Sequence, residues 1–462
     1  MSKGNSAARQ ENLVTINEKV SYGAYFAGQN IFYILLLTFL TPFYTDMGIP
    51  VATVAVITLV VKAWDAVNDP IFGAVVDKVN FKKGKFLPWI KVSLFAIPIA
   101  TVLLFAIPSG APLGVKIAWA VIGYMLWDTA YTICDVPIYG IVTTLTDRIS
   151  ERVLLLSIGR ICGVVAAIVV SVVVPTVRQR IGGWLPTAIV LSVLALIAMA
   201  PLCFAAKERV SVPKTQEDFG FKEMFRFIKG NKYMLIFYAG GWVYGATSIG
   251  TGLGMYTARY LLGDESYLAI LSLVGIIPMV LAGFLIPVLV KRFDKYTLYM
   301  FGFAGAVITY AIAYFVGYSS IPAYLVMLFV RGIPSGFIVM LMFMFTPDCA
   351  EYGHYHSGIA APGISFSIQT FSAKLTAALS TSLGAFALAI IGFVEGEGAT
   401  QSADFIGKFW NASMLIPLIG LAGGFLILTK YKLRDKYVDI ITRCNTGQIS
   451  KEEADKLLDG HI

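Results

Sequence analysis

Residues 52–77 read ATVAVITLVVKAWDAVNDPIFGAVVD. At about 1.5 Å of rise per residue such a run crosses a hydrocarbon core of roughly 30 Å as a helix. It nevertheless carries Lys62, Asp65 and Asp69 in its interior. A charge at the centre of a spanning helix costs about 2.5 to 3.5 kcal/mol on insertion scales, so such residues face a polar cavity and pair with one another. Spacings of three and four place Lys62, Asp65 and Asp69 on one helical face, with Asn68 alongside.

Working outward, eleven more apolar stretches predict spans at 22–45, 87–108, 114–145, 153–176, 184–205, 233–261, 266–289, 297–317, 321–347, 361–392 and 403–429. The whole chain of 462 residues is 57% hydrophobic and 14% charged. Its mean hydropathy of +0.74 is far above that of a soluble globular domain. The polar lead, 1–21, lacks the apolar core and small-residue cleavage site of a signal peptide. The five cysteines are scattered, with neither disulfide nor metal-ligand spacing.

The net charge of +8 sits in the joints between spans rather than on a nucleic-acid-binding face. Lys78, Lys82, Lys83 and Lys85, then Arg148 and Arg152, then the joint after Lys207, then Lys291, Arg292 and Lys295 all fall on one side. The positive-inside bias makes that side cytoplasmic, and an even number of spans puts both termini there. The joint 206–232 is the longest polar stretch between spans and divides them six and six. The expected organisation is a lead (1–21), an N-terminal six-helix bundle (22–205), a cytoplasmic linker (206–232), a C-terminal six-helix bundle (233–429) and a cytoplasmic tail (430–462). Gly73–Lys78 resembles the loop motif of the major facilitator superfamily, whose two bundles hold substrate near the midplane. The fold expected is thus an all-α, multi-pass protein of the plasma (cytoplasmic) membrane with twelve transmembrane helices.

Further intramembrane polar residues accompany the 52–77 run. Thr132 and Asp135 lie three apart in YTICDVPIY, and Arg160 and Lys374 fall inside later spans. By rise per residue, Asp69, Asp135 and Arg160 are expected at one depth. Carboxylate, amide and hydroxyl oxygens gathered there suit a hard cation, Na⁺ or H⁺. The plainer reading of Lys62 with Asp65 is a buried ion pair that locks helix packing.

KAWDAVNDP, GKFLPW, YTICDVP, Gly159-Arg160, DCAEYGHY and SIQTFSAK, in that order and spacing, resemble the glycoside-pentoside-hexuronide:cation symporters, typified by the melibiose permease. The resemblance implies a cation site of Asp65, Asn68, Asp69 and Thr132, with Na⁺ as coupling ion and H⁺ or Li⁺ as alternatives. It implies substrate contacts from Asp135, Tyr139 and Arg160, with Thr370 and Lys374 from the other half. Gln29-Asn30 stands where the melibiose type has a Lys-Asp pair, leaving Asn30 as the helix-1 substrate contact, and Val339 stands where it has a Trp. Asp128 and Arg331 are additional intramembrane charges, read as an outer gate or, for Arg331, as a contact to an anionic substrate such as a hexuronide.

The expected function is cation-coupled symport of a sugar, glycoside or hexuronide into the cell by alternating access. No other cofactor and no nucleic acid are expected as partners, only a sugar, a monovalent cation and membrane lipid, in a functional monomer. A sodium-coupled lysolipid carrier is the near alternative, and a non-transporting sugar sensor the distant one. An enzyme is not expected, since no nucleophile–base arrangement or phosphate loop is present. His354 and His356 beside Asp348 and Glu351 mimic a metal site, but a contact between the halves is the preferred reading.

Overall fold

The computed structural model describes residues 14–79, 81, 84–146, 148–210, 229–357 and 362–458. The lead to residue 13, most of the expected linker (211–228), the last residues of the tail (459–462) and the side chains of Asp77 and Lys78 lie outside the described set. What is described is helical, joined by short turns, and falls into two compact units.

The first unit contains α1 (Ile16–Asp46), α2 (Val51–Lys78), α3 (Leu87–Phe105), α4 (Leu113–Leu145), α5 (Ile149–Ile181) and α6 (Trp184–Ala205). α1 opens on a capping box: the Thr15 hydroxyl accepts from the Glu18 amide, and the Glu18 carboxylate accepts from the Thr15 amide. It is the most enclosed of the long helices, with Tyr22, Tyr25, Phe32, Phe39, Phe43 and Tyr44 all buried. Glycines let its neighbours come this close. A Cβ on Gly28 would lie 2.7 Å from the Ala195 carbonyl oxygen of α6, and one on Gly159 of α5 would lie 2.9 Å from the Phe26 ring. Between α5 and α6, Gly182 and Gly183 take φ of 81° and 78°, the left-handed region where a side chain is strained.

The second unit holds α7 (Lys232–Thr247), α8 (Gly250–Tyr256) with a π turn (Thr257–Leu261), α9 (Tyr267–Leu289) beyond its first three residues, α10 (Lys295–Val316), α11 (Ile321–Met342), α12 (Phe345–Ser357), α13 (Pro362–Ile390), α14 (Ala403–Leu428), α15 (Asp435–Asn445) and α16 (Lys451–Leu458). Its core is aromatic, built on Tyr233, Phe237, Tyr299, Phe303, Phe345 and Tyr431. The tail is folded onto it: Tyr437 and Ile441 of α15 and Leu458 of α16 join that core.

Eleven helices among the described residues are long and apolar enough to cross a membrane. The difference from the expected twelve is at 233–261, read from sequence as one span. The helix breaks at Ser248-Ile249. Gly245, Gly250, Gly252 and Gly254 weaken helix here, and the Thr247 and Ser248 hydroxyls bond back to carbonyls of the preceding turn. The Ser248 carbonyl so released accepts from Ser380 of α13 at 2.8 Å. Outward faces are apolar: Phe204 and Ile197 in the first unit and Phe284, Phe315 and Ile390 in the second are each more than 60% exposed, as lipid-facing residues are.

Candidate functional site

The charged stripe of α2 meets α4 inside the first unit. Asn68 donates from Nδ2 to Thr132 Oγ1 at 2.9 Å, and Thr132 Oγ1 donates to Asp69 Oδ1 at 2.9 Å. The same hydroxyl also lies 3.1 Å from the Asp128 carbonyl oxygen, one turn back on α4. Its single proton thus has two acceptors. When it turns to the carbonyl, Thr132 Oγ1 presents a lone pair toward Asp69. Asp65, Asn68 and Thr132 are buried. Trp64 Nε1 donates to Thr129 Oγ1 at 3.1 Å and pins the two helices at this level.

Lys62 Nζ lies 3.4 Å from Asp65 Oδ2 and 3.4 Å from Asp128 Oδ1. The ion pair foreseen as the plainer reading of Lys62 and Asp65 is therefore present, and Asp128 shares it. Arg331, which the sequence offered as the counterpart of Asp128, is engaged inside the second unit. Its guanidinium sits 5.0 Å from the Tyr310 ring centroid and 5.8 Å from that of Tyr324, with Met414 Sδ 3.3 Å from Nη1.

Asp135 is held by a residue that sequence reading passed over. Gln29 Nε2 donates to Asp135 Oδ1 at 2.7 Å and to the Tyr131 hydroxyl at 3.1 Å. Gln29 occupies one of the two α1 positions where the family type carries charge, and that substitution was the available signal. Its neighbour Asn30, the expected substrate contact, spends a donor on the Phe26 carbonyl of its own helix at 2.8 Å. Stacked rings flank the Gln29–Asp135 pair: Trp127 on Tyr131 at 5.0 Å and Tyr131 on Tyr33 at 5.7 Å. Tyr139 is half exposed, with its ring edge on Phe26 at 5.5 Å, and Arg160 lies exposed on α5.

In the second unit, Thr370 is exposed and Lys374 half-buried on α13, one turn apart. The carboxylates near the two histidines have other work. Asp348 binds Lys295 Nζ at 2.7 Å, and Glu351 accepts from Asn445 Nδ2 at 2.7 Å. His356 stacks on Tyr352. These contacts all lie within the second unit.

Comparisons with known proteins identify the family and the fold. The family model described as MFS/sugar transport protein matches residues 21–435. The isoprimeverose transporter of Lactiplantibacillus pentosus is 27% identical over 442 residues, covering 92% of this chain and 90% of that protein. The glucuronide carrier protein homolog of Escherichia coli (strain K12) is 25% identical, covering 90% and 92%. Among solved structures, an inward-facing bacterial homologue of the human lysosomal transporter Spinster aligns with a TM-score of 0.66 at 14% identity, covering 90% of this chain and 96% of that one. The nucleoside transporter NupG aligns at 0.64 and 16% identity, covering 90% and 100%. At such identities these two structures speak for the fold. The chain belongs to the MFS/sugar transport protein family of sugar–cation symporters, and is a multi-pass membrane transporter and not an enzyme.

Proposed function

We propose that this chain imports a sugar, glycoside or hexuronide together with a cation, by alternating access, across the inner membrane. Na⁺ is the proposed coupling ion, with H⁺ and Li⁺ as alternatives. The observation that carries the reading is the hydrogen-bonded chain Asn68–Thr132–Asp69 beside Asp65. Two carboxylates, an amide and a hydroxyl on two helices are an oxygen set for a small hard cation, and sequestering them from water makes their charges effective. The cation offsets part of the charge of Asp65 and Asp69, and substrate binds next to it at Asp135. Reciprocity then requires each ligand to tighten the other.

Asp135, oriented by Gln29 and flanked by stacked rings, suits vicinal hydroxyls through charge-assisted bonds and a pyranose face through ring contact. These polar contacts favour a sugar over a lysolipid or a sensor's signal ligand. Names of relatives point the same way, including an isoprimeverose transporter, a glucuronide carrier homolog and a glycoside/cation symporter. Tyr139, Arg160 and Asn30 complete the proposed substrate contacts in the first unit. Thr370 and Lys374 enter on the resemblance alone, and Arg331 as a contact for an acidic sugar. Twelve spans with both termini cytoplasmic, counting α7 and α8 together as one crossing, and a functional monomer in lipid complete the reading.

The test is uptake of a panel of neutral and acidic glycosides into proteoliposomes, with and without a Na⁺ gradient. Asp69→Asn is expected to abolish Na⁺-driven accumulation and to weaken Na⁺ binding by about a hundredfold or more. Undiminished sodium-driven accumulation in that variant would overturn the proposal.

A further inference from the structure

Lys62 is placed between two carboxylates of different standing. Asp65 belongs to the proposed cation site, and Asp128, one turn before Thr132 on α4, does not. The ammonium is equidistant from them, at 3.4 Å from each, longer than a settled ion pair. Asp128 is 3% exposed, and its Oδ2 is buried with no hydrogen-bond partner. A buried carboxylate oxygen without a partner is costly, so this carboxylate has capacity to take more of the ammonium than it holds. Lys62 also has the freedom to move: its side chain is 25% exposed, on a flexible four-carbon stem.

We propose that Lys62 is a tethered cation that competes with the coupling ion, and that Asp128 is the harbour to which it retreats. Without Na⁺ the ammonium is shared between Asp65 and Asp128. A cation arriving between Asp65 and Asp69 brings like charge up to Nζ and repels it. Lys62 then passes wholly to Asp128 and engages the unpartnered Oδ2. In each state the ammonium keeps a carboxylate partner, and Lys62 sets the concentration at which the ion wins the site. Lys62 and Asp128 are thus positioning residues for coupling-ion affinity, which rests on the cation site proposed above.

The experiment is a double-mutant cycle on radiolabelled Na⁺ binding to the purified full-length chain, repeated with Li⁺. Lys62→Met removes the competitor and is expected to tighten Na⁺ about tenfold, and Asp128→Asn strands the ammonium on Asp65 and is expected to weaken it about tenfold. Simple electrostatics from two independent charges gives those signs as well, so the cycle decides. If Asp128 acts through Lys62, Asp128→Asn loses most of its effect in the Lys62→Met background. An equal cost in both backgrounds overturns the proposal. Lys62→Arg keeps the charge and is expected to hold near wild-type affinity, whereas tightening like that of Lys62→Met also counts against it. Lys62→Gln with Asp128→Ser repeats the cycle, so that one misfolded variant does not decide it. If wild type binds neither Na⁺ nor Li⁺, or Asp69→Asn binds as wild type does, the underlying site falls instead.

Discussion

Gln29 shows how one amide can stand in for a charge. Its Nε2 fixes Asp135 at 2.7 Å, while its own Oε1 is buried with no hydrogen-bond partner. A hydrogen bond to a charged group contributes roughly 1.5 to 3 kcal/mol. Gln29→Leu is therefore expected to weaken the transported sugar about tenfold or more, with a much smaller effect on Na⁺ affinity measured without sugar. Equal losses for both ligands would show that Gln29 supports the helix bundle rather than Asp135. At this scale the sequence was informative about which residues share a helix face and silent about who meets whom between helices. The spacing of Lys62, Asp65, Asn68 and Asp69 displayed one face of α2, because helical periodicity is a property of the chain alone. That Asp128 faces Lys62 and that Arg331 lies among Tyr310, Tyr324 and Met414 depend on the relative rotation of packed helices, which periodicity leaves open.

Elements are tied together by residues that look like punctuation. GKFLPW, at 84–89, read as part of a resemblance, is the start of α3, and its cap comes from far along the chain. The Glu208 carboxylate accepts from the amides of Lys85, Phe86 and Leu87 at 2.9, 2.8 and 2.7 Å, just where a helix N-terminus leaves donors unsatisfied. Gly84 must lack a side chain, since its φ is 117° and a Cβ would meet Glu208 Oε1 at 2.5 Å. Phe86 packs on Gly140 of α4 in turn, so the cap fixes the helix that carries Asp128, Thr132 and Asp135. Glu208→Ala is expected to cost about 1–3 kcal/mol, seen as a lowered unfolding temperature of the purified protein, and Glu208→Asp to recover part of it. No change in unfolding temperature would remove the capping argument. The sequence placed Glu208 in a linker because its neighbours are polar. Polarity there reports capping as well as solvent, and composition cannot separate the two. The break at Ser248-Ile249 escaped for a related reason. A hydropathy window averages over glycines and hydroxyls that together let a helix stop inside an apolar run.

The molecule as a whole divides into two units whose boundary follows the chain except at two short segments. Residues 264–269 and 392–401 adjoin helices of the second unit in sequence, yet group with the first. Arg178, near the end of α5, holds them. Its guanidinium binds the buried Asp46 of α1 at 3.1 Å, Glu265 at 3.0 Å and Glu397 at 3.2 Å, and lies 4.0 Å over Trp184. Trp184 Nε1 donates to the same Asp46 oxygen at 3.1 Å. The Gly396 amide donates to the Thr45 carbonyl, and the Val51 amide to Glu395, so the second segment is also stitched to the turn between α1 and α2. Three carboxylates on one guanidinium form a network rather than an isolated surface pair, and only such an arrangement holds two segments at once. Sequence spacing gives no sign of this network, because each of Arg178's partners lies more than 80 residues away or across a helix end. Arg178→Gln leaves Asp46 buried without its guanidinium, a loss of about 3–5 kcal/mol for a fully enclosed pair. The local consequence is measurable by hydrogen exchange. The amides of Val51 and Gly396 are expected to exchange about tenfold faster or more in Arg178→Gln, as local opening becomes cheaper. Protection in the cores of α1 and α6 is expected to persist, since Trp184 loses the guanidinium over its ring but keeps its ring contacts with Phe39 and Phe43. Arg178→Lys retains a charge but not the fork, so it should fall between the two. Unchanged exchange at both amides in Arg178→Gln would mean that the backbone bonds to Thr45 and Glu395 suffice, and that Arg178 serves Asp46 alone.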